Sequence, residues 1–160
     1  MTRNSRILYF FITTIFFVMF NNLITDNILR YGYKMPENPI FDLIYVQNEG
    51  AAFNLLDGSK IFLIAFAVIA ILGIIFYTIK HIKTAPVLAI FCSSLLISGI
   101  FSNMFERITF GFVRDFIKLN FVDFPVFNIS DIFINISVIA LVIIIIVKKN
   151  FVKNNETDNR

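Results

Sequence analysis

The chain has 160 residues, of which 58% are hydrophobic and only 16% charged. That length allows one domain, and a mean hydropathy of +0.79 is too apolar for a soluble one, whose surface needs more polar cover. The formal charge of +3 comes from lysines and arginines that flank apolar runs; with no basic stripe interleaved with aromatics, it argues against a nucleic-acid surface and fits anionic lipid head groups.

Residues 1–6 are short, polar and basic, and the first predicted span covers residues 7–29. At about 1.5 Å per residue, its uncharged part approaches a hydrocarbon thickness of about 30 Å. A secretory signal peptide needs a small-x-small site at its end, whereas Asn21, Asn22, Thr25, Asp26 and Asn27 stand there. Gly32, Pro36 and Asn38-Pro39 supply turn chemistry. Residues 40–47 (IFDLIYVQ), rich in β-branched and aromatic side chains, predict a short strand. Asn48-Glu49-Gly50-Ala51-Ala52-Phe53-Asn54 follows, where small residues permit close backbone approach and asparagines both donate and accept hydrogen bonds. Asp57-Gly58-Ser59 reads as a turn and helix start with Ser59 as N-cap.

The second span is predicted over residues 60–79, followed by a tight basic turn around His81 and a third span over 85–105. The later half of that third span carries Ser93, Ser94, Ser98, Gly99, Ser102 and Asn103; small residues let helices pack closely and serines bond across them. Glu106-Arg107 is expected to end it. A fourth span over 128–147 is nearly all Ile and Val, and 151–160 reads as a solvated, disordered tail after a single transmembrane domain over 1–150. The fold class expected is a mainly α membrane protein, four transmembrane helices with a small extracytoplasmic β-rich platform.

Four spans put Arg3, Arg6, Lys80, Lys83, Lys148, Lys149 and Lys153 on one side, and the positive-inside rule places both termini and the short turn in the cytoplasm. The polar stretches and most acids then share the opposite side, together with several basic residues.

Residues 111–131 lie between two apolar runs and hold Asp115 and Asp131, each in an apolar or aromatic frame. A carboxylate at a membrane boundary is costly unless partnered or hydrated. Two that converge share a proton, an arrangement that activates water to attack an amide. The competing reading makes Asp131 a plain cap of the fourth helix and Asp115 a solvated loop acid. Arg107 fits pairing with a carboxylate, donation to a substrate carbonyl, or snorkelling at the interface; Glu106 fits a partner of Arg107 or Arg114. Asn48, Asn103 and Asn128 sit at segment boundaries, where asparagine also serves turns and caps. With one histidine, His81, and one cysteine, Cys92, a zinc site and a Cys-His nucleophile pair are poorly supported. Ser59 and Lys60 are adjacent and point different ways on a helix, which weakens a Ser-Lys mechanism.

Taken together, these pieces resemble the lipoprotein signal peptidases (signal peptidase II). Residues 48–53 (NEGAAF) match that family's N-x-G-A-A-F stretch. Gly99 through Arg107, followed by Gly111-Phe112-Val113-Arg114-Asp115-Phe116, is similar to G-x-x-G-N-x-x-D-R-x-x-x-G-x-V-x-D-F, and 127–131 (FNISD) matches F-N-x-[AS]-D. The resemblance implies a membrane-embedded aspartyl protease that removes the signal peptide of bacterial prolipoproteins before a diacylglyceryl-modified cysteine. It implies Asp115 and Asp131 as catalytic dyad, a substrate pocket with Asn48, Gly50, Asn103, Arg107 and Asn128, and no metal or organic cofactor. Its partners would be prolipoprotein signal peptides and membrane lipids, with no nucleic acid and no obligate protein partner. Its place would be the bacterial cytoplasmic (inner) membrane, with the active site near the extracytoplasmic face. The chain departs from the family where a first-helix D-x-x-x-K becomes Asn21 or Asn22 and Thr25, where Ser102 replaces a glycine, and where Glu106 replaces an aspartate. Two rivals stand: a catalytically degenerate lipopeptide binder, and an ion or proton carrier, which predicts acids spread through spans that are instead uncharged.

Overall fold

A computed structural model describes residues 1–31, 39–50 and 59–157, with side chains through Lys148. The elements run α1 (Arg3–Tyr31), β1 (Phe41–Asn48), α2 (Lys60–Lys80), α3 (Val87–Phe110), β2 (Val113–Leu119) and α4 (Ile129–Thr157). All four helices are long and apolar enough to cross a membrane, and β1 and β2 form a two-stranded sheet. This is the mainly α, four-span architecture expected. The turn residues within 32–38, the loop residues 51–54 and Asp57-Gly58 lie outside the described residues.

α3 is the hub, packed against α1, α2 and α4, and its small residues are the reason. A Cβ added to Gly99 would meet the Ser130 carbonyl at 2.6 Å and Ile134 Cγ1 at 2.8 Å, so α3 and α4 touch backbone to side chain with no space for a methyl group. Ser94, fully buried, donates across to the Phe10 carbonyl of α1 at 3.0 Å. Ser93 and Ser98 donate instead to Ala89 and Leu95 of their own helix, an alternative always open to helical serines.

At one end of the bundle, Arg6 donates to the carbonyls of Ile82 and Ala85 at 3.0 and 2.7 Å, locking the α2–α3 turn to the start of α1. Beneath it Phe10, Ile82, Ile90 and Ile97 form a buried apolar cluster. The sheet occupies the other end. β1 and β2 pair antiparallel from Phe41↔Leu119 to Asn48↔Val113, with one extra β1 residue between Leu43 and Val46, a bulge that re-aims the strand. Phe127 pairs with Ile117 on the other edge of β2.

Several elements differ from expectation. The strand 113–119 replaces an expected loop; its period of two is short and interrupted by charge, and pairing with β1 supplies the missing signal. α3 does not stop at Glu106-Arg107 but continues to Phe110, because both charges find partners. It ends at Gly111, whose φ of +96° is the left-handed conformation of a helix C-terminus and whose N–H donates to the Arg107 carbonyl. α4 continues to Thr157 where a disordered tail was expected, since no glycine or proline interrupts it. Ser59 occupies the N-cap position of α2, but its hydroxyl makes no capping hydrogen bond.

Candidate active site

β2 delivers Asp115 into the protein, 2% exposed, because Val113, Asp115 and the neighbouring Phe116 face inward along the strand. Its two carboxylate oxygens each accept an amide: Oδ2 from Asn48 Nδ2 at 2.8 Å and Oδ1 from Asn128 Nδ2 at 2.7 Å. Asn48 is the last residue of β1 and pairs with Val113, two residues before Asp115 on β2. Burial is the main force on the Asp115 carboxyl, pushing it up to about 7; the Asn48 bond holds it down, and the nearby Asp131 charge raises it further.

Asp131 lies in the first turn of α4. Its Oδ1 accepts from Asn103 Nδ2 at 2.8 Å, and its Oδ2 accepts from the Asn128 backbone N–H at 3.1 Å. Asn128, 3% exposed, returns the favour through Oδ1, which accepts the Asp131 N–H at 3.1 Å. That reciprocal pair has the pattern of a capping box, with Asn128 as cap and Asp131 three residues on. The other hydrogen of Asn128 Nδ2 goes to Asn103 Oδ1 at 3.1 Å. Thus the plain-cap reading of Asp131 is correct as far as it goes, yet its capping partner also binds Asp115, which is buried and not a solvated loop acid.

Arg107 forms no ion pair among the described residues. It donates to the Gly50 carbonyl at 2.6 Å and the Asn103 carbonyl at 3.3 Å. Gly50 N–H in turn donates to Asn48 Oδ1 at 3.1 Å. A relay therefore runs from Arg107 through Gly50 and Asn48 to Asp115. All five residues expected around the dyad, namely Asn48, Gly50, Asn103, Arg107 and Asn128, are brought together here.

Asn48, Asn103, Arg107, Asp115 and Asp131 line one wall of a cavity of about 800 Å³. The other walls are apolar: Leu63, Phe66, Ala67 and Ala70 of α2, Ile100 and Met104 of α3, and Ile132 and Ile136 of α4. Since α2 packs chiefly on α3, the cavity lies in the cleft between α2 and α4. Among the described residues no cluster of His, Cys, Asp and Glu is placed to hold a metal ion.

Contacts of Glu106, Arg114, Asp26 and Asn21 support the site from behind. Glu106, 6% exposed, accepts from the Arg114 backbone N–H at 2.7 Å and from its guanidinium at 2.7 and 3.0 Å. Arg114 also reaches Asp26 of α1 at 3.1 Å and lies 4.7 Å from the Phe110 ring centroid. This ties α1, α3 and the residue before Asp115 into one unit. Asn21, 2% exposed, donates to Ser130 Oγ at 2.7 Å, so of the two first-helix asparagines it is Asn21 that faces the start of α4.

Four helices long and apolar enough to cross a membrane, with buried, partnered carboxylates facing an apolar cleft between them, define a multi-pass membrane protein. The family model described as signal peptidase (SPase) II matches residues 12–147. A lipoprotein signal peptidase of Streptococcus thermophilus is 34% identical over 69% of this chain and 72% of its own. One from Dehalococcoides mccartyi is 32% identical over 91% of this chain and 94% of its own. Two solved structures, both of a bacterial membrane enzyme determined by the in meso method, superpose with TM-scores of 0.76 and 0.70. They are 26% and 28% identical and cover 88% and 86% of this chain, and 89% and 92% of their own. The chain belongs to the signal peptidase II family, the proteases that process prolipoproteins.

Proposed function

We propose that this protein is an aspartic endopeptidase that cuts a prolipoprotein before its diacylglyceryl-modified cysteine, with Asp115 and Asp131 activating water. The observation that carries this reading is the Asn128 amide, which donates to Asp115 while capping reciprocally with Asp131. One residue holds both carboxyls at the edge of an apolar cleft.

The pair works with one proton between its members, since two buried like charges cannot both ionise readily. The ionised carboxylate takes a proton from water as the oxygen adds to the scissile carbonyl carbon. The protonated carboxyl gives its proton to the carbonyl oxygen, so the tetrahedral intermediate forms without a net charge change. Collapse breaks the C–N bond: the carboxyl that took the water proton passes it to the departing amine, the other carboxylate takes a proton from a hydroxyl of the intermediate as the carboxylic acid product forms, and the pair is again singly protonated. No acyl-enzyme is needed. Asn48, Asn103, Arg107 and Asn128 orient the dyad, and the apolar side chains of α2 and α4 receive the lipid chains, which enter sideways from the bilayer.

The basic residues at the Arg6 end face the cytoplasm by the positive-inside rule, which places both termini there and the sheet and dyad near the outer face of the cytoplasmic membrane. A proton carrier fits less well. The acids within the four candidate spans, Asp26, Glu106 and Asp131, all gather at the sheet end, partnered by Arg114, Asn103 or Asn128, and leave no relay through the spans. The test is incubation of purified protein with a diacylglyceryl prolipoprotein peptide and with its unlipidated counterpart, read by mass spectrometry. Cleavage of the lipidated peptide alone, immediately before the modified cysteine, is expected. Tight binding without any product would instead favour a lipopeptide binder.

A further inference from the structure

A second cavity lies at the opposite end of the bundle from the dyad. It measures about 860 Å³ and opens between the start of α1 and the end of α2, lined by Arg3, Lys80 and Lys83 together with an apolar wall. Leu72, Phe76 and Lys80 are spaced four residues apart, so they share one helix face; Leu72 and Phe76 are both well exposed. The Lys80 ammonium lies 5.9 Å from the Phe76 ring centroid, just above that wall.

Among the described residues the three cations have no acidic partner. Among the described residues the ion pairs formed are those of Arg114 with Asp26 and Glu106, at the far end of the bundle. Arg6, the fourth basic group nearby, is already spent on the Ile82 and Ala85 carbonyls; it holds the shape of the turn that carries Lys83. Three like charges converging on one cavity repel one another until an anion joins them, and apolar surface continuous with them in a lipid-facing helix asks for an acyl chain.

We propose that this cavity binds an anionic phospholipid, its phosphate among Arg3, Lys80 and Lys83 and one acyl chain along Phe76 and Leu72. Basic pockets at helix ends recognise lipid phosphates in this way. A zwitterionic lipid is disfavoured because its ammonium would join three cations. Free phosphate is disfavoured because it leaves the apolar wall bare. Which leaflet supplies the lipid rests on the orientation proposed above; the binding itself does not.

The test is native mass spectrometry of the full chain in detergent, titrated separately with phosphatidylglycerol and phosphatidylcholine. The variants are Arg3→Gln/Lys80→Gln/Lys83→Gln, Phe76→Ala and, as a basic residue outside the cavity, Lys148→Gln. Retained phosphatidylglycerol is expected on the parent and on Lys148→Gln, weakened about tenfold or more in the triple variant and clearly weakened in Phe76→Ala, with little phosphatidylcholine bound by any. Parent-like retention by the triple variant overturns the proposal, as do equal binding of the two lipids and an equal loss in Lys148→Gln, which would indicate diffuse charge. Full displacement by millimolar inorganic phosphate would point to a phosphate site instead and overturn it too. Unchanged melting temperature of Phe76→Ala keeps the result interpretable if the triple variant fails to fold. An Asp115→Asn protein that cannot cut must still retain the lipid, so the outcome is independent of the protease reading.

Discussion

Asn128 and Asp131 hold each other across the first turn of α4 by two reciprocal hydrogen bonds, both 3.1 Å. Because the same asparagine also donates to Asp115 at 2.7 Å, the start of one helix sets the placement of both carboxyls. Asn128→Ala therefore removes a helix cap, worth about 1 kcal/mol, and frees Asp115 Oδ1 at the same time. Cleavage is expected to fall about a hundredfold or more, since small misplacements of reacting groups cost that much, while the melting temperature drops by only a few degrees. Steady-state kinetics beside thermal unfolding measure both; a large stability loss with normal kinetics of the surviving fraction would contradict the assignment.

Asp115 supplies a pH signature. Its carboxyl is pushed by burial to about 7, and the bond from Asn48 opposes that push. kcat/KM is expected to decline as pH rises past about 7, where the pair loses its shared proton. Asn48→Ala removes the opposing bond, so the alkaline limb moves to higher pH. A limb that stays in place in this variant would separate Asp115 from the titration.

The same shift has a stability consequence. The folded protein keeps the Asp115 proton to about 7, whereas an unfolded aspartate releases it near about 4. The contribution of that protonation is thus fully present below about pH 4 and lost as pH rises to about 7. Relative to the parent, Asp115→Asn is expected to melt progressively higher as pH goes from 5 to 8, with the difference level above that. Melting curves across this range read it directly.

Glu106 accepts three hydrogen bonds from Arg114, the residue that precedes Asp115. Glu106→Ala leaves a partly buried guanidinium without its main partner and is expected to cost about 2–3 kcal/mol. Arg114→Met in the same chain should recover part of that loss, as expected for coupled neighbours. Denaturation of the two single variants and the double variant closes the cycle; strictly additive losses would show that the pair is not a unit.

Gly99 has no room for a side chain, with the Ser130 carbonyl 2.6 Å from where a Cβ would stand. Gly99→Ala pushes α3 from α4 at the residue beside Asp131, at a cost of about 1–3 kcal/mol, and cleavage is expected to fall about tenfold or more. Thermal unfolding and kinetics check the two effects, and an unperturbed melting temperature would show that the helices separate freely.

Much of this architecture is legible in the chain itself. Long uncharged, mostly apolar runs satisfy their backbone groups best as membrane-crossing helices, so the four spans follow from length and composition, and β1 follows from its β-branched run. The strand at 113–119 does not, because Arg114, Asp115 and Lys118 mask its pattern and its pairing partner lies some seventy residues earlier. The asparagines Asn48, Asn103 and Asn128 each read equally well as turn residues; only their convergence on two carboxyls distinguishes them, and convergence is a tertiary fact. The same holds for Glu106, whose buried partner could be Arg107 or Arg114 by sequence and is Arg114 in space. Asn21 and Asn22 are alike on paper, and the helical phase selects Asn21 to meet Ser130.

The proposed protease rests on Asp115 and Asp131 performing the cleavage together. Its most direct test is the rate of cutting of a diacylglyceryl prolipoprotein peptide by the parent and by Asp115→Asn and Asp131→Asn proteins that retain the parent's helical content and bind the peptide. Cleavage by the parent and a loss of several orders of magnitude in each variant are expected, since residues that act as a unit fail together. Cleavage at near-parental rate by either variant would contradict it and assign the chemistry to other residues.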